Sequence, residues 1–324
     1  MTRRYIWLGG LTFCMAMLSM VGLGVGENPV LIGALTDSWG PTPAIVGLRD
    51  GLIELGYREN EHFFLGVRFT QGDTHALPKA ARELVGQGVN VLFTSEPGAA
   101  VAAQKATQQI PIVFTDIGDP VGLGLVQSYA RPSGNVTGVT TLGFEIAPKR
   151  LELFQQIVPG LKRVLFPYNP AHPYTAMEVK VLRDAAKQLG IDLIEQPLLN
   201  QDEAQAVMAK VRKGDVDGIM SPRPLSLNIP GFILETTTRQ KIPAMFDTSF
   251  WTDRGGLASY AANFHESGRM AARLADKIIK GENPANIPVE VNHKIEFVIN
   301  LKTAKALGLT IDPIVLYQAD RIIR

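Results

Sequence analysis

"TQQIPIVFTDIGDPVGLG", residues 107–124, and "TRQKIPAMFDTSFWTDRGG", residues 238–256, decide the fold. In each, a polar stretch passes through Ile-Pro into a short apolar run that stops at an aspartate, Asp116 in one and Asp247 in the other. A turn rich in glycine or small polar residues follows. An apolar run of this length, bounded by turn residues, reads as a strand buried on both faces.

Two further pairs repeat in the same order. "LIELGYRENEHFFLG" (52–66) parallels "AKQLGIDLIEQ" (186–196), and "ELVGQGVNVLFTSEP" (83–97) parallels "AKVRKGDVDGIMSPRP" (209–224). Around them β-rich runs alternate with helical stretches such as "TPAIVGLRDGLIELG", where apolar residues return every three or four positions and glycine ends the run. The expected fold class is therefore α/β: two Rossmann-like lobes, each a parallel sheet covered by helices on both faces. The expected boundaries are 1–26 for a leader, 27–144 plus about 262–324 for the first lobe, and 145–261 for the second. On that division the chain crosses between lobes more than once, which makes a multi-strand hinge.

The leader is "MTRRYIWLGGLTFCMAMLSMVGLGVG": two arginines, a long apolar run and small residues at its end. That order is a secretory signal peptide with cleavage near Gly26, or else a retained anchor. The bulky Phe13 before Cys14 speaks against a lipid-modified cysteine. Cys14 is the one cysteine in 324 residues, so the exported chain has no disulfide.

Net charge is +1, with charged residues 19% and hydrophobic residues 46% of the chain. No basic excess exists to neutralise a phosphate backbone, and no nucleic-acid partner is expected. There is no nucleophile elbow and no Walker loop. The five histidines lack metal-ligand spacing, so neither a metal nor a cofactor is expected. In "GDPVGLG" a carboxylate, Asp119, stands where a phosphate would sit, so the glycines shape a turn.

In open parallel sheets ligands bind beyond the carboxyl ends of the strands. The first lobe offers Thr36, Asp37, Ser38 and Trp39, then Ser95 and Glu96, then Asp116. The second offers Tyr168 and Asn169, then Ser221 and Arg223, then Asp247 and Ser249. Two such rims facing across a hinge form a cleft for a small molecule. Several of these residues have a purely structural alternative: Ser95 as a helix cap, Asp116 and Asp119 as turn acceptors, Arg223 as partner of a rim acid.

Four strings, "LRDGLIELGY" (48–57), "IPIVFTDIGDPVGLGLVQSYARPSGNVTGVT" (110–140), "RLELFQQIVPGLKRVLFPYNP" (150–170) and "FVINLKTAKALGLTI" (297–311), extend over nearly the whole mature chain. With them the sequence resembles the ABC-transporter substrate-binding proteins that include tryptophan and tyrosine uptake receptors. The resemblance implies a type I periplasmic-binding-protein fold whose lobes close on a ligand. It also implies a non-enzymatic monomer on the outer face of the membrane, delivering its ligand to an ABC permease. A sensory module presenting its ligand to a membrane signalling protein stays open as a second reading, and a hydrolase or isomerase using Glu96, Asp116 or Asp247 as acid or base as a third. The expected ligand carries a carboxylate and an amine: the carboxylate at Ser95, where a helix begins, and the amine at Asp247 or Asp116. Trp39 and Tyr168 would stack on its apolar part. The chain departs from the family's pattern at Glu96, at Arg223 and around Asp247.

Overall fold

The computed structural model describes residues 28–38, 40–141, 143–172, 175–223 and 226–324. The leader, with Cys14, and the predicted rim residue Trp39 lie outside the described residues.

The first lobe opens with β1 (Val30–Thr36), α1 (Pro43–Glu54), β2 (Phe63–Phe69), α2 (Leu77–Gly86), β3 (Val91–Ser95), α3 (Pro97–Ala106), β4 (Ile112–Ile117) and β5 (Val136–Thr141). The second contains α4 (Ala147–Ile157), β6 (Arg163–Tyr168), α5 (Thr175–Leu189), β7 (Asp192–Pro197), α6 (Gln201–Lys210), β8 (Gly218–Met220), α7 (Ile229–Gln240), β9 (Ala244–Phe246), α8 (Ser249–Asp253) and β10 (Ala258–Ala262). The chain ends with α9 (Phe264–Ile279), β11 (Glu290–Asn292), β12 (Ile295–Asn300), α10 (Leu301–Leu307), α11 (Pro313–Tyr317) and β13 (Arg321–Ile323).

One sheet has the strand order β11-β5-β4-β3-β1-β2, the other β13-β12-β10-β9-β8-β6-β7. All pairings are parallel except β10 with β12, which run antiparallel. That exception has a simple cause. β10 is the last strand before the chain leaves the second lobe and β12 is the first after it returns, so the two point in opposite directions. The chain passes between lobes after Thr141, after Ala262 and after Asn292.

Those crossings correct the expected boundary. α9 and β11 do return to the first lobe, but everything from Ile295 onward joins the second sheet, through the register Ala258↔Ile299 to Ala262↔Ile295. Sequence pattern showed a strand and a helix there but not which sheet edge was open.

Each sheet has an apolar core on both faces. In the first lobe, Leu84, Ala100 and Phe114 belong to the core beside α2 and α3, and Leu48, Phe93 and Ala272 to the core beside α1 and α9. In the second, Phe154, Leu182 and Phe166 fill one side, and Met208, Ile233 and Phe246 the other. Near-continuous burial along β3, β4 and β5 is what a strand covered on both faces requires.

α1 begins at Pro43, with Thr42 Oγ1 accepting the Ile45 N–H. It lies against α9 at backbone distance. A methyl group on Gly47 would strike the carbonyl oxygen of His265, and one on Gly268 would strike that of Ala44. Asp50 meets His265 Nε2 at 2.9 Å beside this contact. The returning helix is thereby locked onto the first lobe just beyond a crossing. Among the described residues, no helix is long and apolar enough to cross a membrane.

Candidate functional site

The predicted rim residues gather at the carboxyl ends of the strands, where the two sheets face each other. Their arrangement depends on two residues with unusual backbone angles. Asp116, near the end of β4, has φ +64°, at a point where the pairing of β4 with β5 slips between Phe114 and Ile117. Glu96, between β3 and α3, has φ +83° and ψ 155°. That region is almost confined to glycine, and holding a larger residue there costs about 1–3 kcal/mol. The irregularity at Asp116 lets β4 continue to Ile117 while breaking its even pairing with β5 at the acid. Asp119, by contrast, accepts the Gly122 N–H at 2.8 Å and shapes the following turn.

Glu96 and Asp116 keep some accessible surface, yet protein surrounds both. Thr115 Oγ1 donates to Asp116 Oδ2 at 3.2 Å, while Asp116 Oδ1 is buried without a hydrogen-bond partner. Burial pushes the Asp116 carboxyl up to about 7, despite the opposing pull of Arg223 and Thr115. Glu96 is pushed well above the carboxylate range, first by burial and then by the charge of Asp37 and a hydrogen bond with it. Asp116 and Asp247 add to the effect. Ser38 Oγ donates to the Gly40 carbonyl at 2.5 Å, holding the loop that carries Asp37.

Ser95 does not cap α3. It is 1% exposed, and its hydroxyl accepts a 3.4 Å hydrogen bond from Thr42 Oγ1 at the start of α1. The cap position belongs to Glu96, whose side chain caps nothing.

Across the cleft, Asp247 follows β9 and is 3% exposed, with Oδ1 unpartnered. Its carboxyl is pushed up to about 7, chiefly by burial. Arg150 lowers it, Glu178 raises it and Arg223 lowers it further. Ser249 begins α8, where Thr248 serves as cap. Ser221 is fully buried, its hydroxyl turned to the Pro222 carbonyl at 3.2 Å. Tyr168 is half-buried and stacks on Phe166. Asn169 Oδ1 accepts the Ala171 N–H at 2.9 Å, shaping its own turn.

Arg223 joins the lobes. Its backbone N–H donates to both Glu178 oxygens at 3.2–3.3 Å within the second lobe. Its Nη2 reaches the first lobe, donating to Thr141 Oγ1 at 2.6 Å and to the Asp116 carbonyl at 3.3 Å.

Sequence reasoning missed the charged layer beneath this rim. Arg150 and Glu178 are each 1% exposed and face each other at 3.5 Å, and Arg150 Nε donates to the Tyr260 carbonyl at 2.9 Å. Burial lowers the Arg150 pKa and raises that of Glu178. Both sit on helices, away from the strand ends that were searched. The signal was present nevertheless: Arg150 shares a helical face with Leu153, Phe154 and Ile157, and Glu178 with Val179, Leu182 and Ala185. A charge inside an apolar stripe needs a buried partner. His172 was also missed; burial and the charge of Arg223 push it down to about 4, so its ring is neutral at pH 7.

The family model described as "ABC transporter substrate binding protein" matches residues 40–323. A tyrosine-binding protein of Clostridioides difficile (strain R20291) is 28% identical over 264 residues, which cover 81% of this chain and 76% of that protein. A conserved domain protein from Vibrio cholerae is similar in structure, with TM-score 0.78 at 28% identity over 91% of this chain and 100% of that one. An ABC domain from Streptococcus pneumonia, solved in complex with L-Trp, gives TM-score 0.78 at 26% identity over the same shares of the two chains.

Proposed function

Because the chain belongs to the ABC transporter substrate-binding protein family, a family of binding proteins rather than enzymes, we propose that it is an exported receptor for a small ligand bearing an amine. The ligand is an amino acid or a related amphipathic molecule. The lobes close on it, and the closed form hands it to an ABC permease at the membrane. The binding residues are Asp37, Glu96 and Asp116 from the first lobe and Asp247 and Arg223 from the second, with Tyr168 against the apolar part of the ligand.

The observation that carries this reading is Asp247: a carboxyl 3% exposed, with one oxygen unpartnered, at a strand end facing the acids of the other lobe. A buried carboxyl without a partner is costly to keep, and an ammonium group from the ligand supplies the missing charge. The names of the relatives, a tyrosine-binding protein and an L-Trp complex, support a ligand of amino-acid type. The link that Arg223 makes between the lobes supports closure.

A thermal-shift screen of amino acids and amines against the mature chain tests the proposal, since a ligand that binds only the folded state raises its midpoint. Asp247→Asn then weakens the best ligand by about 2–5 kcal/mol, on the order of 30-fold to several thousandfold, without lowering the midpoint of the unliganded protein. If calorimetry shows Asp247→Asn and Asp116→Asn both binding as tightly as the parent, the amine assignment is wrong.

A further inference from the structure

The start of α3 is where a ligand carboxylate would be expected, because free N–H groups and the helix dipole favour an anion there. The protein has put its own carboxyl in that place. Ser95, the hydroxyl that would have helped hold a ligand anion, is buried and turned toward Thr42. Glu96 stands at the cap position instead, held there by a backbone conformation that only glycine adopts freely.

The surrounding charges point the same way. Five acids, Asp37, Glu96, Asp116, Glu178 and Asp247, face two arginines, Arg150 and Arg223, so full ionisation would leave −5 + 2 = −3. His172 contributes no charge at pH 7. Both arginines are engaged within the protein, Arg150 with Glu178 and the Tyr260 carbonyl, Arg223 with Thr141 and the Asp116 carbonyl. Asp247 faces this group from the opposite lobe with an unpartnered oxygen. Burial, reinforced at Glu96 by the neighbouring carboxylates, favours the protonated form of Glu96, Asp116 and Asp247. A ligand carboxylate would enlarge the excess, whereas a ligand cation replaces a proton.

Resting on the reading of the cleft as an amine-binding site, we infer that the ligand meets the start of α3 through a positively charged nitrogen and carries no carboxylate there. This narrows the amino acids and related amphipathic molecules proposed above to the second of these: an amine or diamine without an α-carboxylate. Glu96 is the specificity-determining residue, and Asp37 is its hydrogen-bonded neighbour.

Matched pairs differing only in the carboxylate test this: tyramine against L-tyrosine, tryptamine against L-tryptophan, and 1,5-diaminopentane against L-lysine. Calorimetry on the mature chain at pH 7.5 is expected to show, in at least one pair, the amine binding at least tenfold tighter than its amino acid. Repeating the titration in buffers of different ionisation enthalpy is expected to show proton release on binding. Glu96→Gln should shrink the preference at least tenfold, and Asp37→Asn provides a second variant should the first not fold. An amino acid binding more tightly than its amine, or a preference unchanged in both variants, overturns this inference and leaves the amine-binding reading intact. If no member of any pair binds, both fall together.

Discussion

Glu96 and Asp116 carry two burdens at once, a left-handed backbone and a poorly solvated carboxyl. Glu96→Gly removes both, so the unliganded protein should gain stability by about 1–3 kcal/mol from the backbone alone, less the entropy cost of a glycine. Thermal unfolding checks this, and an unchanged or lower midpoint would argue against strain at that position. The pH dependence follows from Asp116 and Asp247, whose folded pKa of about 7 lies above the ordinary 3.8. The folded state therefore holds protons that the unfolded chain has lost. The stability they contribute is complete below pH 3.8 and disappears as pH rises through 7. The unliganded midpoint should fall between pH 4 and 8, and the double variant Asp116→Asn with Asp247→Asn should flatten that slope. At this scale the sequence was half legible. Strand-end acids announce themselves by position, so Asp116 and Asp247 could be found. That Ser95 turns toward Thr42, leaving Glu96 at the helix start, depends on φ +83° at one residue, which no pattern of residue types encodes.

Helices and strands were read from periodicity because burial on one face or two leaves a direct trace in the order of apolar residues. The destination of β12 was not, because the edge of a sheet has no local signature. Arg150 and Glu178 mark the same limit from the other side: their stripe positions were visible, but their pairing depends on how α4 and α5 cross. Removing one member strands the other. Arg150→Leu should cost about 3–5 kcal/mol, while the double variant Arg150→Leu with Glu178→Leu should recover most of that loss. Chemical denaturation of the two single variants and the double variant measures the coupling. Additive losses would mean that the pair is not a unit. At the other helix contact, Gly47→Val would drive a side chain into the His265 carbonyl and part α1 from α9.

For the molecule as a whole, the Arg223 bridge gives the proposed closure a specific handle. A methyl group on Gly143 would meet the Arg223 guanidinium, which can swing aside only by giving up Thr141. Gly143→Ala should therefore favour the open form, with a lowered unliganded midpoint as well, because φ −120°, ψ −91° lies outside the α and β regions that alanine prefers. Small-angle scattering should show the parent's radius of gyration falling when ligand is added, and the variant requiring more ligand for the same change. Equal behaviour of the two would remove Arg223 from the closing contact.

The three crossings also impose an order in time. α1 is made early, but the helix that covers its glycine face, α9, comes only after the second lobe's strands β6 to β10 have been synthesised. Neither can the first sheet gain its edge strand β11 before then. Until residue 279 is available, the core that holds Leu48 and Leu52 lacks Ala271, Ala272, Leu274, Ala275 and Ile278. Contacts this distant in sequence slow folding. The nascent first lobe thus spends much of its synthesis as an incomplete structure, with apolar surface uncovered until its last third emerges.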